Sequence, residues 1–173
     1  MLPIGSLRPA AGWGKPRDTR LSRDEQRTLL TLWSIFRSPL IMGGNLLEAD
    51  AWTTSLLTNA EVLAVDQHSR DNHPVITSGD VIVWTARPES GDGFFVAVFN
   101  LSDAPQVAHY AWSELGLKGN DYTRRDLWEH KDLGSATSLE ITLPAHGSAL
   151  YRVSPRAGAV RGGSQGEGQK ETR

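Results

Sequence analysis

Cysteine is absent from the 173 residues. That excludes disulfides, thiolate metal sites and cysteine nucleophiles, and leaves the compartment open. An excess of charge of one sign is also missing: 18 basic side chains stand against 20 acidic ones, a formal net charge of −2. A chain so balanced has no general attraction for nucleic acid or for a membrane surface. No apolar run approaches the roughly 20 residues that a membrane helix needs. Residues 1–8 lack a basic stretch followed by an apolar core, so no signal peptide is read there. His68, His73, His109, His130 and His146 show no His-x-x-x-His spacing, and Gly43-Gly44 is not followed by Gly-Lys-Ser/Thr. Ser34, Ser38 and Ser55 lack a glycine-elbow context. Neither a metal, nor a phosphate loop, nor a serine nucleophile is therefore expected, and no cofactor is called for.

What is present is enough apolar material for a core: 39% hydrophobic residues and six tryptophans. The chain reads as three pieces. In the first, 1–69, residues 3–20 carry Pro3, Gly5, Pro9, Gly12, Gly14 and Pro16 and read as irregular loop. Ser22 followed by Glu25 is a capping-box pattern that starts a helix. Leu29, Leu30, Leu32, Trp33, Ile35 and Phe36 make that helix apolar around much of its circumference, and Pro39 should stop it. Leu40-Ile41-Met42, closed by Gly43-Gly44, suits a short buried strand. Helical stretches follow over about 48–58 and 59–65.

The second piece, 70–154, reads as strands. Val75-Ile76-Thr77 and Val81-Ile82-Val83-Trp84-Thr85 flank the turn Ser78-Gly79-Asp80. Residues 94–99, 106–111, 122–128, 138–143 and 148–153 are further strand candidates, with His146-Gly147 as a turn. Turn residues recurring about every ten positions predict an antiparallel sandwich. The third piece, 155–173, has no aromatic residue and is rich in Gly, Arg, Ser, Gln, Glu and Lys. It reads as a disordered tail.

Several residues could carry chemistry. Arg20 and Asp24 have Arg-x-x-x-Asp spacing, but Asp24 falls in the first turn of the Ser22-capped helix, where a carboxylate serves the helix dipole. His130-Lys131-Asp132 reads as a polar turn between strands. Trp52, Trp84, Trp112 and Trp128 could stack on sugar rings. Trp112 and Trp128, beside polar residues, suit that better than Trp84, and packing is the expected role for all of them.

Met1-Leu2-Pro3-Ile4-Gly5, Leu21-Ser22-Arg23-Asp24-Glu25-Gln26-Arg27, 32–40 (Leu-Trp-Ser-Ile-Phe-Arg-Ser-Pro-Leu) and 56–67 (Leu-Leu-Thr-Asn-Ala-Glu-Val-Leu-Ala-Val-Asp-Gln), in this order, resemble the end of a catalytic barrel. The family is glycoside hydrolase family 27, the melibiase-type α-galactosidases. Val83-Trp84-Thr85-Ala86, 96–101 (Val-Ala-Val-Phe-Asn-Leu), Arg125-Asp126-Leu127-Trp128 and Lys131-Asp132-Leu133-Gly134 resemble the family's C-terminal β domain. The implied fold class is an α+β fragment: the last strand–helix unit of a (β/α)8 TIM barrel, then an antiparallel β-sandwich.

The implied activity is hydrolysis of terminal α-galactosides with retention, which requires two carboxylates roughly 5 Å apart. The family's nucleophile lies in Lys-x-Asp and its acid/base in Arg-x-x-x-Asp. The first motif is absent here, the second occurs only at Arg20 and Asp24, and both family motifs belong upstream of Met1. No catalytic residue is therefore assigned, and the chain alone should be inactive. In the family an Asp-x-Asp-Met-Leu segment touches the sugar. Met1-Leu2 correspond to its last two residues, which makes Met1 the one substrate-binding assignment.

The expected partner is an α-galactoside in the longer parent, with a missing N-terminal catalytic segment, and with neither nucleic acid nor membrane. Without the barrel, the Leu29–Phe36 helix should expose apolar faces and make the N-terminal piece sticky. Two other readings stand beside this one: a carbohydrate-binding or scaffolding sandwich that uses Trp112 and Trp128, and one half of a split enzyme.

Overall fold

The structure is a computed structural model that describes residues 1–8 and 14–156. Its first elements are two short strands, β1 (Ser6–Leu7) and β2 (Arg17–Asp18), paired antiparallel with Ser6 opposite Asp18 and Leu7 opposite Arg17. This ribbon lies in the stretch read from sequence as loop. Each arm is only two residues long, too short for a visible alternation.

Helix α1 spans Arg23–Ile35 and carries the predicted capping box: Glu25 N–H donates to the Ser22 hydroxyl, and Ser22 N–H donates to the Glu25 carboxylate at 2.6 Å. Its end comes earlier than Pro39 predicts. Arg37 takes φ +56°, its N–H reaches the Ser34 carbonyl, and Ser38 N–H reaches the Trp33 carbonyl. That is a Schellman closure with arginine in the place glycine usually takes. Its guanidinium donates to the Ser69 carbonyl at 2.6 Å and the Asp66 carbonyl at 3.1 Å, which holds the residue there.

The expected strand at residues 40–42 reduces to one parallel bridge, Leu2 to Met42. Ile41 is exposed because this pair has no further strand beside it among the described residues to cover it. Leu2 and Met42, with α1 between them, form a β-α-β crossover, the connection parallel strands require. Gly44 makes the close approach possible: a Cβ there would lie 2.4 Å from the Ile4 carbonyl oxygen. A single 3-10 turn, Leu46–Glu48, precedes α2 (Ala51–Leu57), capped by Asp50, and α3 (Ala60–His68), capped by Asn59.

Helix α3 runs directly into β3 (Ser69–Ile76), which turns back through Gly79 (φ +82°) into β4 (Val81–Pro88). Then come β5 (Phe94–Asn100), β6 (Gln106–Ala111), β7 (Tyr122–Asp126), β8 (Lys131–Ala136), β9 (Ser138–Leu143) and β10 (Ser148–Pro155). Six of them form one antiparallel sheet in the order β3-β4-β5-β10-β7-β8, and β6-β9 form a second. Strand β8 was not read as one, because all but its last residue are exposed and it shows no apolar alternation. The strand expected to reach Trp128 ends at Asp126, whose carboxylate accepts from the N–H groups of Trp128 and Glu129 to start the turn. The tail expected from residue 155 does not include Pro155, which is in a strand. Pro155 closes β10, Arg156 N–H donates to the Asp121 carbonyl, and residues 157–173 lie outside the described part.

The six-stranded sheet is buried on both faces, and this explains the uninterrupted apolar run of β5. Phe95, Ala97 and Phe99 face the helices, while Val96 and Val98 face the β6-β9 pair. Helix α1 lies across β10, β5 and β4 and against α3. Leu30, Ile35, Val62 and Val65 share a core with Ala86, Leu127 and Leu150. The expected sticky helix is thus corrected. Its Leu30 and Ile35 are fully buried on the sheet, and only Leu32 and Phe36 are exposed. At about 2 kcal/mol per large apolar side chain removed from water, this contact decides the placement of α1. The second core, on the other face, gathers Val83, Val96, Val98, Trp112, Leu115, Leu117, Tyr122, Leu139 and Tyr151.

Both outer strands of the large sheet are irregular. Strand β3 carries Pro74, Asp71 at φ +57° and two register shifts, and β8 carries Lys131, Asp132, a shift opposite Arg124/Arg125 and Gly134 at φ +74°.

Candidate functional site

The Leu2–Met42 parallel pair sets the direction of the site. The chain leaves Leu2 into Pro3 and β1, and leaves Met42 into Gly43-Gly44. Both departures are at the carboxyl ends of parallel strands, the end where sheets of this kind place their ligand sites. A cleft of about 550 Å³ opens there, lined by Met1, Pro3, Leu7, Arg8, Gly14, Lys15, Arg17, Arg20 and Gly43. Its size falls in the usual range for small-molecule sites. Met1 is 77% exposed and lines this cleft.

The β1-β2 ribbon turns its side chains alternately to two pockets. Side chains alternate across a strand. Leu7 and Arg17, paired opposite each other, line the cleft, whereas Ser6 and Asp18 line a pocket of about 300 Å³ on the other side. Glu48 and Asp50 line that second pocket too. Arg8 ion-pairs with Glu48, and the pairing, with a further hydrogen bond from Ser6, holds the Glu48 carboxyl below its usual range. The Asp50 carboxylate caps α2 by accepting from Thr53 N–H at 2.7 Å, and the Thr53 bonds keep its acidity high. Both acids are engaged in these contacts, and among the described residues no carboxylate lines the first cleft. Asp24 stands in the first turn of α1, as its spacing from Ser22 predicts.

The tryptophans resolve into packing. Trp112 is 1% exposed and donates its indole N–H to the Ala136 carbonyl at 2.8 Å. Trp128 is 9% exposed and donates to the Thr31 hydroxyl at 2.9 Å. With both rings enclosed and both N–H groups satisfied, neither presents a face to a sugar. The reading in which they form a sugar platform on the sandwich is corrected accordingly. Trp84 packs against Phe36, ring centroids 5.2 Å apart. Trp52 lies under Arg23 and Arg27.

His130 sits in the turn between β7 and β8 at φ +52°. It joins a cluster that sequence spacing does not reveal. Glu61 of α3 accepts two hydrogen bonds from Arg125 of β7, both 2.8 Å, and one contact of 2.7 Å from His130 Nδ1. Arg125 also reaches Asp132 at 3.0 Å. The Arg125 guanidinium, then His130, hold the Glu61 carboxyl below its ordinary value, and the two carboxylates raise the guanidinium in turn. Beside it, the Asn59 amide donates to the Leu127 carbonyl at 2.9 Å inside the core. These contacts fasten α3 to the sandwich and are structural. Among the described residues, no group of three or more His, Asp or Glu side chains could hold a metal ion.

Sequence reasoning also missed the cationic lining of the first cleft. The signal was available in the count: Arg8, Lys15, Arg17 and Arg20 against the single acid Asp18 within residues 1–20.

Comparison with known proteins agrees with this geometry. The family described as "Alpha galactosidase C-terminal beta sandwich domain" matches residues 78–153, and "Alpha galactosidase A" matches residues 11–68. The chain is 31% identical over 156 residues to an α-galactosidase of Cyamopsis tetragonoloba, covering 84% of this chain and 38% of that protein. It is 32% identical over 140 residues to one of Coffea arabica, covering 79% and 37%. Among solved structures, a family 27 β-L-arabinopyranosidase of Geobacillus stearothermophilus superimposes with a TM-score of 0.84 at 43% identity, over 91% of this chain and 37% of that one. A protein of Bacillus halodurans described as a putative α-N-acetylgalactosaminidase does so with a TM-score of 0.83 at 35% identity, over 90% and 38%. The chain thus spans less than two fifths of the length of these relatives. With two α-galactosidase family models matching consecutive stretches of it and family 27 structures superimposing over about nine tenths of its length, the chain belongs to glycoside hydrolase family 27, the melibiase-type α-galactosidases.

Proposed function

We propose that this chain is the C-terminal part of a retaining glycoside hydrolase acting on terminal α-galactosides, and that it is inactive alone. Residues 1–69 act as the end of the barrel, and 70–154 as the sandwich that braces it. The observation that carries this reading is the cleft at the carboxyl ends of Leu2 and Met42, with Met1 in its lining and no carboxylate there among the described residues. Retention needs a carboxylate pair about 5 Å apart, as nucleophile and acid/base. Glu48 and Asp50 are engaged elsewhere and Asp24 serves a helix end, so a separate catalytic segment supplies both groups. Met1 contributes an apolar contact to the sugar held between that segment and this one.

The test is hydrolysis of p-nitrophenyl α-galactoside. The 173-residue chain alone should show none. Joined to the barrel portion of the Geobacillus relative that precedes the matched region, it should hydrolyse this substrate or the β-L-arabinopyranoside, with Met1→Ala raising KM several-fold. Turnover by the chain alone that disappears in Asp24→Asn would overturn the reading.

A further inference from the structure

We propose that β6 is a self-association edge, along which a second copy of this chain pairs antiparallel about a two-fold axis. The inference rests on the sandwich alone and is independent of the function proposed above. The β6-β9 pair stands apart from the large sheet, so among the described residues each of its strands lacks a second neighbour. The backbone groups that face outward can be identified. Ala111 is opposite Ser138, yet its N–H donates to the Glu114 carboxylate at 2.7 Å and its carbonyl accepts from Glu114 N–H at 3.0 Å. Both groups of Ala111 therefore point away from β9. In an antiparallel ladder that direction recurs at every second residue, and the register of β6 with β9 runs without a shift. Val107 and His109 thus also turn N–H and C=O outward, and among the described residues no donor or acceptor meets them. Their side chains are exposed, Val107 at 65%.

Proline, charge or a bulge normally guards such an edge, as on both outer strands of the large sheet. Strand β6, Gln-Val-Ala-His-Tyr-Ala, has no proline, no Lys, Asp or Glu and no register shift. Its free groups are self-complementary. Pro105, without an N–H, bounds them on one side, and Ala111, closed by Glu114, bounds them on the other. A two-fold axis at Ala108 sets Val107 opposite the second copy's His109, and His109 opposite its Val107. Every free N–H and C=O of these residues is then paired. The small Ala108 side chains meet where the two backbones come closest. Strand β9 turns Ser138, Glu140 and Thr142 outward by the same rule. Two-fold pairing that uses all of them would set Glu140 against Glu140 of the copy, and like charges directly opposite are unfavourable. An unrelated extended peptide would need pockets for its alternate side chains, and β6 lines neither of the clefts described above.

Sedimentation equilibrium of the 173-residue chain tests this. So small a contact belongs with weak, transient interfaces, so the monomer–dimer transition should fall between about 10 µM and about 1 mM. Across that range, amide exchange at Val107 and His109 should slow about threefold or more, while exchange at Glu140 and Thr142 stays the same. Val107→Pro removes an outward N–H and leaves the ladder to β9 intact, and should raise the dissociation constant about tenfold or more. Val107→Lys keeps every N–H but sets a charge on the edge, and should weaken the dimer to a similar degree. Thr142→Pro makes the same change on the outer side of β9 and should leave the dimer unaltered. Circular dichroism of each variant checks that the fold persists. A chain monomeric up to the top of the range, a dimer indifferent to both Val107 variants, or a dimer abolished by Thr142→Pro would each overturn the proposal.

Discussion

The six-stranded sheet and the Leu2–Met42 pair are built from the same kind of backbone but end in opposite conditions. Each face of the sheet is covered, by α1 and α3 on one side and by β6-β9 with the Trp112 loop on the other. In the core between sheet and helices the Asn59 amide is matched with the Leu127 carbonyl. The parallel pair is held by one bridge, and around it Met1, Ile41, Leu46 and Leu47 are exposed, Leu47 at 96%. The difference teaches that stability and function sit in different places. The sandwich and its helices bury their own core, whereas the proposed function makes the cleft one wall of a site.

The largest effect should come from the complete region. Trp112→Ala removes a fully enclosed ring and should destabilise the chain by about 3–5 kcal/mol in chemical denaturation. A loss under about 1 kcal/mol would mean that the second core is not the stable half. A smaller effect should come from the fastening of α3 to β7. Glu61→Gln breaks the bidentate pair with Arg125 and should cost about 1–2 kcal/mol near neutral pH. Because the folded state holds this carboxyl below its ordinary value, its contribution is present above the unfolded value of about 4.3 and is lost as pH falls through the folded one. The gap between wild type and variant should therefore close below about pH 4; a gap that persists in acid would show that the ion pair is not its source. The smallest global effect should come from the open region. Gly44→Ala drives a methyl against the Ile4 carbonyl, so amide exchange at Leu2 and Gly43 should accelerate about tenfold or more while the unfolding midpoint barely moves. A midpoint that falls with it would merge the two regions into one cooperative unit.

The complete region was also the more legible one in the sequence. Strands β6 and β9 match their apolar patterns end to end, and Ser22 and Glu25 place the start of α1. Legibility failed where the determining forces are not local. The end of α1 is set by Arg37 reaching residues 29 and 32 positions away, so Pro39 alone misplaces it. The polar strand β8 is specified by its partner β7 and not by its own residues. The apolar girth of α1 reads as buried, but the sheet that covers it comes later in the chain, so a helix without its barrel reads as exposed. For the candidate site, the cationic lining of the cleft depends on the two-residue ribbon that sorts Arg17 from Asp18, and so short a pairing leaves no periodic trace.

The irregular outer strands of the large sheet have a consequence for how this protein fails. A sheet grows into aggregates by adding strands to bare, flat edges. Here one edge carries Pro74 and two register shifts, and the other carries Lys131, Asp132 and a kink at Gly134. Both refuse a docking strand. Self-association on heating would then bypass the edges of this sheet and turn to exposed apolar side chains, Ile41, Leu46 and Leu47 beside the Leu2–Met42 pair and Leu101 and Val107 on the sandwich.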